Sequence, residues 1–581
     1  MDDKIICIDE EVASSIDSAI NLFANTVGST LGPYGKPAIL ENEYGPNSYK
    51  VTKDGVSVAR AIKLADPVKN AIISIAKEAA IKTNSNSGDG TTTSTVLMHQ
   101  IYSKGIKFGS EVRNYRFLNG IKAATANVVD YIKSKSVSID ELAEGDDAKT
   151  YSILKNIAKI SANGDDQIAE SIAKAFDAVG VNGSILVEDS PTPYTYVDIN
   201  EGTQFPSGYC SPYFINSTDA PVCEFNDPLI FISDRKIRSS EIHDIITMIG
   251  EIPNKLNVDT KQFPIVLIAE DFDPDVIALF ATNKLRGALN SVLIKLPAYG
   301  DDKVRRANDI GILTNAGGII SESCGVSFKN FWDFKWCTPG TVSRIIVKSD
   351  RTTLIGFKLS EKNKELLDST LNLLEGQLVS KELNPTEEYL ARGRYNFLRG
   401  GIATIKVGAN TEIEMKEKRD RIDDAVNSVK AAINGGIIPG GGIVLYEAST
   451  QLVCPPTDST TASEDEFNIG YNLLLSSLVA PIKMIIDNSG IIKSQDALDY
   501  FDEIIAETDD EDLNLMTYDI EKLQNAVNNK TEVFYPALSI GVIDPTSVVV
   551  NALENAVSVA TTLLSIKSIV VKAPTSKVEN Q

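Results

Sequence analysis

Apolar residues near the start of the chain recur at helical spacing. Val12, Ile16, Ile20, Phe23 and Val27 step by three and four along one face. They predict a helix that stops at the turn cluster Leu31-Gly32-Pro33-Tyr34-Gly35. A strand-like stretch then leads to Thr52-Lys53-Asp54-Gly55. Asp66-Pro67 predicts an N-cap followed by proline at the first helical position. That helix carries Ile72, Ile75, Ala76 and Ala79 and breaks at Ser87-Gly88-Asp89-Gly90; another starts at once at Thr91-Thr92-Thr93.

The pattern changes from about Gly183 to Ser349. Ile185–Val187, Leu229–Ile232, Ile265–Ile268 and Ser291–Ile294 read as buried strands separated by short helices, which predicts an α/β layer domain. Helices return from about Glu361. Helix-rich, α/β and helix-rich segments in that order fit either three domains in a line or one domain built from both chain ends with the middle inserted. Pro455–Glu466 reads as an exposed loop, and no internal repeat is evident.

Composition narrows the chemistry. The chain has 581 residues, with Lys+Arg 56 against Asp+Glu 79, a net charge of −23. So acidic a chain is not expected to bind nucleic acid or an anionic membrane surface. No apolar run reaches ~18 residues, which rules out a membrane-spanning helix on sequence grounds. Met1–Glu10 is acidic and lacks an apolar core, which leads to the expectation of a cytoplasmic protein, or one of the host cytoplasm if virus-encoded. Two histidines, His99 and His243, cannot build a poly-histidine zinc site and make a Ser-His-Asp triad improbable. Six scattered cysteines, none in a C-x-x-C pair, fit a reducing compartment. Any chemistry rests on carboxylates, lysines, threonines and glycine-rich backbone.

Gly88-Asp89-Gly90-Thr91-Thr92-Thr93 is the most informative hexamer. A helix start offers free N–H groups and a positive dipole to phosphate. Glycine lets the backbone come close, threonines add donors, and an aspartate beside phosphates can hold Mg²⁺. A well-capped helix after a glycine turn would look the same. Thr30-Leu31-Gly32-Pro33, Thr52-Lys53-Asp54-Gly55 and Gly440-Gly441-Gly442 use the same vocabulary, with Lys53 placed to offset phosphate charge beside Asp54. Asp424 points away from the apolar stripe Ile422, Ala425, Val426, Val429 and Ile433; it is either a solvated acid or a carboxylate presented to a cleft.

Together these segments resemble the group I chaperonins, the ring ATPases that fold other proteins. Val51–Arg60 (VTKDGVSVAR), Gly88–Thr93, Gly208–Ile215 (GYCSPYFI), Lys406–Ala409, Thr411–Lys418 and Ile543–Thr546 match in order and nearly in spacing, over almost the whole chain. The resemblance implies a multidomain α and α/β fold. It places a mainly α equatorial ATP-binding domain at 1–143 and 435–581, a small α/β intermediate hinge domain at 144–200 and 403–434, and an α/β apical client-binding domain at 201–402. It implies ATP and Mg²⁺ as cofactors. Asp89 would hold the metal, Gly90 to Thr93 the phosphates, and Thr30, Leu31, Gly32 and Pro33 would line the nucleotide. Lys53 would reach the phosphates, and Gly441 and Asp544 the ribose. Asn528 is placed at the adenine by spacing alone, because the family's Tyr-Asn-Ala-Ala-Thr is replaced by Val527–Glu532. Asp54 and Asp424 would position the hydrolytic water, Asp424 arriving as its domain closes. Gly202, Gly400 and Gly401 match hinge positions.

The resemblance also implies partners. Non-native polypeptides would bind Tyr209, Tyr213, Phe214, Ile246, Ile249 and Ile277, although two usually aliphatic positions are Ala281 and Thr282 here. A homo-oligomeric, heptameric ring is implied, and a co-chaperonin lid is left open. Relatives stack two rings through a basic residue paired with an acid just past the next glycine. Here Lys483 survives but Gly490 is followed by Ile491 and Ile492, and Glu111 replaces a small residue at a second contact. The expectation is a single ring or a weakly stacked double one. A nucleotide-binding ring or scaffold with little turnover is the alternative, which the presence of both Asp54 and Asp424 disfavours. A small-molecule phosphotransferase is disfavoured by the absence of a second catalytic motif.

Overall fold

The computed structural model describes residues 4–41, 49–109, 112–143, 146–162, 164–180, 184–217, 221–256, 263–297, 302–380, 385–455, 462–507 and 515–572. The chain forms two compact units. One takes residues 1–174, 187–196 and 405–581, including both chain ends; the other takes 175–186 and 197–404.

The first unit is mainly helical. Helix Asp9–Gly28 buries Val12, Ile16, Ile20, Phe23 and Val27, the stripe its spacing predicts. Helix Pro67–Ser87 starts at Asp66, whose carboxylate accepts from Val68 N at 2.8 Å and Lys69 N at 3.3 Å. Helix Thr91–Gly105 follows after one short glycine turn. Helix Thr546–Ser565 packs against these last two and against Tyr115–Ser134. The premise that no apolar run reaches membrane-spanning length is corrected by length and composition, and the core position accounts for it. Thr546–Ser565 and the stretch Glu466–Ser489 are each long and apolar enough to cross a membrane. The first is apolar on most faces because it is surrounded by other helices, with Ala552, Leu553, Ala556 and Ala560 fully buried. The stretch read as a loop from Pro455 is helical from Ala462; residues 456–461 lie outside the described set.

The second unit is α/β. Leu229–Ile232, Ile265–Ala269 and Ser291–Lys295 form a three-stranded parallel sheet. It carries helices Ile242–Leu256, Pro274–Leu285 and Asp302–Thr314. The strands are buried nearly throughout, as a covered parallel sheet requires. An antiparallel ladder joins Cys223–Asn226, Val342–Val347, Thr352–Phe357 and the end of Tyr196–Phe205. The glycines matched to hinge positions are explained by close approach. A Cβ on Gly202 would collide with Ile402 and lie 2.5 Å from Leu354 O; one on Gly400 would sit 3.1 Å from Gly202 O.

Candidate functional site

The site is built on the start of helix Thr91–Gly105. Gly88 (φ 72°) ends the preceding helix and Gly90 (φ 84°) begins this one, both in the left-handed region that glycine tolerates. A Cβ on Gly88 would collide with Asn427, and one on Gly90 would lie 2.8 Å from Val548 Cγ1. No side chain caps the helix. Its first N–H groups therefore keep their donor capacity and the positive end of the dipole.

Three other segments meet this start. Thr30 Oγ1 lies 3.4 Å from Thr92 Oγ1. A Cβ on Gly55 would strike Thr92 Oγ1, so the Asp54-Gly55 turn is seated on the same threonine. Lys53 Nζ donates to Pro33 O at 3.3 Å, which draws the lysine to the Thr30–Pro33 turn. Burial holds the Lys53 ammonium below its ordinary pKa, and Arg421 adds to this. The turn is pinned from behind by Asn488, whose Nδ2 donates to Gly28 O and Leu31 O, both at 3.0 Å.

Asp89 sits between the two glycines. Its Oδ1 accepts from Gly90 N at 2.6 Å, and its Oδ2 from Ser428 Oγ at 2.9 Å and Ser161 Oγ at 3.1 Å. Asp54 caps its own short helix, accepting from Val56 N and Ser57 N at 2.9 Å each. Asp424 lies on helix Glu412–Gly435, near both. Burial pushes its carboxyl well above the usual range, and the charges of Asp89 and then Asp54 push it further. Asp424 is half-buried, between the solvated acid and the cleft carboxylate that its position on the helix allows. The glutamates and lysines of that helix do form a solvated face, as in the Lys416–Glu412 pair at 2.7 Å.

Asp544 pairs in register with Ile438 at the other side of the site. Burial raises it to about 7, with Asp89 adding to the rise and the Gly441 N–H opposing it. Gly441 (φ 75°) accepts from Tyr518 OH at 3.0 Å. Asn528 is exposed at the end of helix Leu523–Asn529, and no hydrogen bond ties it to these groups among the described residues. It is Tyr518, with Thr517 Oγ1 donating to Gly440 O at 2.9 Å, that meets the Gly440–Gly442 turn.

These residues fit a magnesium nucleotide. Among the described residues no three His, Cys, Asp or Glu side chains gather closely enough to cage a metal. A Mg²⁺ ion commonly uses one or two carboxylates and completes its shell with phosphate oxygens and water. Asp89 is a presented carboxylate of that kind. Asp54, Asp89, Asp424 and Asp544 together form a charge excess that raises two of their own pKa values. A divalent cation would relieve that excess, and an uncapped helix start is the kind of site that suits phosphate.

The TCP-1/cpn60 chaperonin family profile matches residues 23–574. The chain belongs to the TCP-1/cpn60 chaperonin family. Among solved structures it is similar to the chaperonin gp146 from the bacteriophage EL 2 (Pseudomonas aeruginosa), crystallised in the presence of ATP-BeFx. In one crystal form the identity is 21% and the TM-score 0.70, covering 98% of this chain and 100% of that one. In a second form the TM-score is 0.61, again at 21% identity, with 98% and 99% covered. At this identity the match speaks for the fold, multidomain α and α/β. Its coarse function is that of a chaperone.

The family's client surface is sought in the second unit. Tyr213 (63% exposed) and Ile246 (52% exposed) stand at the surface. Tyr209, Ile249 and Ile277 are half-buried and packed on the core. Phe214 is a correction: it is fully buried, packed into the core with its carbonyl held by Lys284. In a three-residue turn one of two adjacent aromatics faces in when the other faces out. The same division runs through the Ile242–Leu256 helix, where Ile245 is core and Ile246 is not.

Proposed function

We propose that this chaperonin is an ATP-dependent molecular chaperone that binds non-native proteins at an apolar apical surface and assists their folding in a ring cavity. Mg-ATP hydrolysis would drive domain closure. The observation that carries the reading is the meeting of Thr30, Thr92 and the Asp54-Gly55 turn at one uncapped helix start, with Asp89 at its head and Asp424 near enough for the Asp89 and Asp54 charges to act on it. Asp89 would hold Mg²⁺, which when bound would supply positive charge to offset the carboxylates and the phosphates. Asp89, held by two serine hydroxyls, presents an oriented carboxylate to the metal. The N–H groups of Thr91 to Thr93 and the Lys53 ammonium receive the phosphates. Asp424, its carboxyl raised well above the usual range by burial and by the neighbouring acids, would be a stronger base than an ordinary carboxylate once ionised, and would take a proton from water with Asp54 nearby. Gly441 and Asp544 hold the ribose.

The assembly is read as a heptameric ring with equatorial segments 1–143 and 435–581, intermediate segments 144–200 and 403–434, and apical residues 201–402. Its working compartment is read as the cytoplasm, which the six free cysteines fit.

The deciding experiment pairs two variants. Asp424→Ala should bind Mg-ATP normally and hydrolyse it about 10²-fold or more slowly; near-normal turnover by the purified variant would remove Asp424 from the chemistry. Asp89→Ala should weaken Mg-ATP binding itself, read by titration calorimetry. For the apical surface, Tyr213→Glu or Ile246→Glu should abolish capture of a denatured protein while ATPase activity stays near normal, because an apolar client cannot solvate a charge. Capture by both variants would overturn the assignment of that surface.

A further inference from the structure

One charged group in the second unit is spent on an unusual task. Lys284 lies near the end of helix Pro274–Leu285, half-buried, and no carboxylate comes within ion-pair distance of it among the described residues. Its ammonium points inward. Nζ donates to Phe214 O at 2.5 Å, to Ser291 O at 3.3 Å and towards Cys223 Sγ at 3.5 Å. It also sits 4.8 Å from the centroid of the Phe225 ring and 6.0 Å from that of Phe214. Burial holds its pKa below the ordinary lysine value, as expected for an ammonium withdrawn from water.

A methionine or leucine would fill such a site at no desolvation cost. What lysine adds is a set of donors on a flexible stem. They join the Pro212–Phe214 turn to the start of strand Ser291–Lys295 and to strand Cys223–Asn226. The turn is also held to itself, Phe214 N donating to Ser211 O and Ile215 N to Pro212 O, both at 3.1 Å, and just past it Asn216 Nδ2 donates to Glu224 O at 2.8 Å. The start of the turn is fixed by Cys210 N donating to Leu293 O at 2.9 Å, and the Ser211 cap on Tyr213 N is a long 3.4 Å. Phe214 is sunk in the core, so the carbonyl that Lys284 grips is a point at which the backbone carrying the exposed Tyr213 is clamped.

We infer that Lys284 is a positioning residue for client capture: its buried ammonium clamps the Phe214 carbonyl and so fixes the turn that presents Tyr213. The inference rests on the apical client surface proposed above. Lys284 itself touches no client.

The test uses the full-length assembly. Lys284→Met keeps the length and removes the donors. Hydrogen exchange at the Tyr213–Ile215 amides should accelerate at least tenfold, and capture of a denatured protein should weaken several-fold, with ATPase rate and thermal midpoint near those of the parent. Lys284→Arg, which restores a donor, should recover most of both losses. In a Tyr213→Glu background, Lys284→Met should weaken capture no further. Unchanged exchange in Lys284→Met would overturn the clamp, and a clamp lost without effect on capture would overturn its role in presenting Tyr213. Normal capture by Tyr213→Glu alone would instead overturn the client surface, while the exchange result still judges the clamp. If Lys284→Met fails to assemble, the milder Lys284→Gln replaces it with the same readouts.

Discussion

Asp544 is a carboxyl that the fold holds against its own preference, half-buried, and raised to about 7 by withdrawal from water and then by the Asp89 charge. The folded state therefore binds this proton more tightly than the unfolded state does. As pH rises from the ordinary carboxylate value towards 7, the unfolded chain releases the proton first, so Asp544 subtracts stability across that window. Asp424 acts with the same sign. Carboxylates such as Glu170, drawn down to about 2 by Lys155 and Tyr151, act with the opposite sign at lower pH. The site's contribution is isolated by comparison: the thermal midpoint of Asp544→Asn minus that of the parent should rise from pH 4 to pH 7 without nucleotide. Saturating Mg-ATP should shrink the difference in part, because cation charge offsets the Asp89 contribution while burial, the larger cause, remains. A flat difference would mean that Asp544 is ionised like any surface acid. At this scale the sequence was legible where chemistry and motif coincide, as at Asp89 and Thr91 to Thr93. It was silent on Tyr518 and Ser161, which reach the site from distant segments with no local signal. Ser428 carried a weak signal, since it follows Asp424 by one helical turn and shares its face.

Elements were more legible than contacts, because caps and stripes are local. The Asp66-Pro67 start and the Gly88–Gly90 break both stand where glycine, proline and aspartate place them. The pairing of Lys4–Ile8 with Ser568–Lys572 was not legible, since its partners lie at opposite ends of the sequence. The break between the two helices carries its own prediction. Gly90 lies at φ 84°, and a Cβ there would sit 2.8 Å from Val548 Cγ1. Gly90→Ala should cost about 1–3 kcal/mol in stability from backbone strain and crowding. It should also weaken Mg-ATP, because the helix start is displaced. Gly164→Ala, left-handed at φ 84° with nothing within 4 Å, is the control. It carries the strain of about 1–2 kcal/mol without the crowding and should leave nucleotide affinity unchanged. Denaturant unfolding and calorimetry on both variants separate the two effects.

The whole molecule brings charge and exposed edges into assembly. Among the described residues, two of the first unit's four two-stranded ribbons expose large apolar side chains. One, Ala38–Glu41 with Tyr49–Thr52, exposes Ile39, Tyr49 and Val51; the other, joining the chain ends, exposes Ile6, Ile8 and Val570. Unlike surfaces that complement each other make a head-to-tail contact, and such contacts close into rings. Unpaired strand edges beside exposed apolar side chains suit that use. Ile39→Glu should accordingly release monomers, read by native mass. Stacking two rings asks for a different contact. Lys483 is exposed, and it lies close enough to Lys104 that its charge, with that of Lys107, lowers the Lys104 pKa after burial has done so. The acid that relatives place just past the next glycine is absent: after Gly490, Ile492 packs on the core instead. Glu111, expected at the second contact, lies outside the described residues. Were two rings to stack on this region, Lys104, Lys107 and Lys483 would meet like charge from the facing copy without that acid to offset it. At surface dielectric each like-charge approach costs ~1 kcal/mol or more, repeated around the ring. Salt screens such contacts within about 8 Å at physiological ionic strength. The expected outcome is a substantial population of single rings at low salt in at least one nucleotide state, with the share of double rings changing as salt is added. Mass photometry and electron microscopy without nucleotide and with Mg-ATP decide it, and Lys483→Glu should shift the balance towards stacking by pairing with the remaining lysines of a facing ring. Uniform double rings that ignore both salt and this substitution would show that the stack is held by another contact.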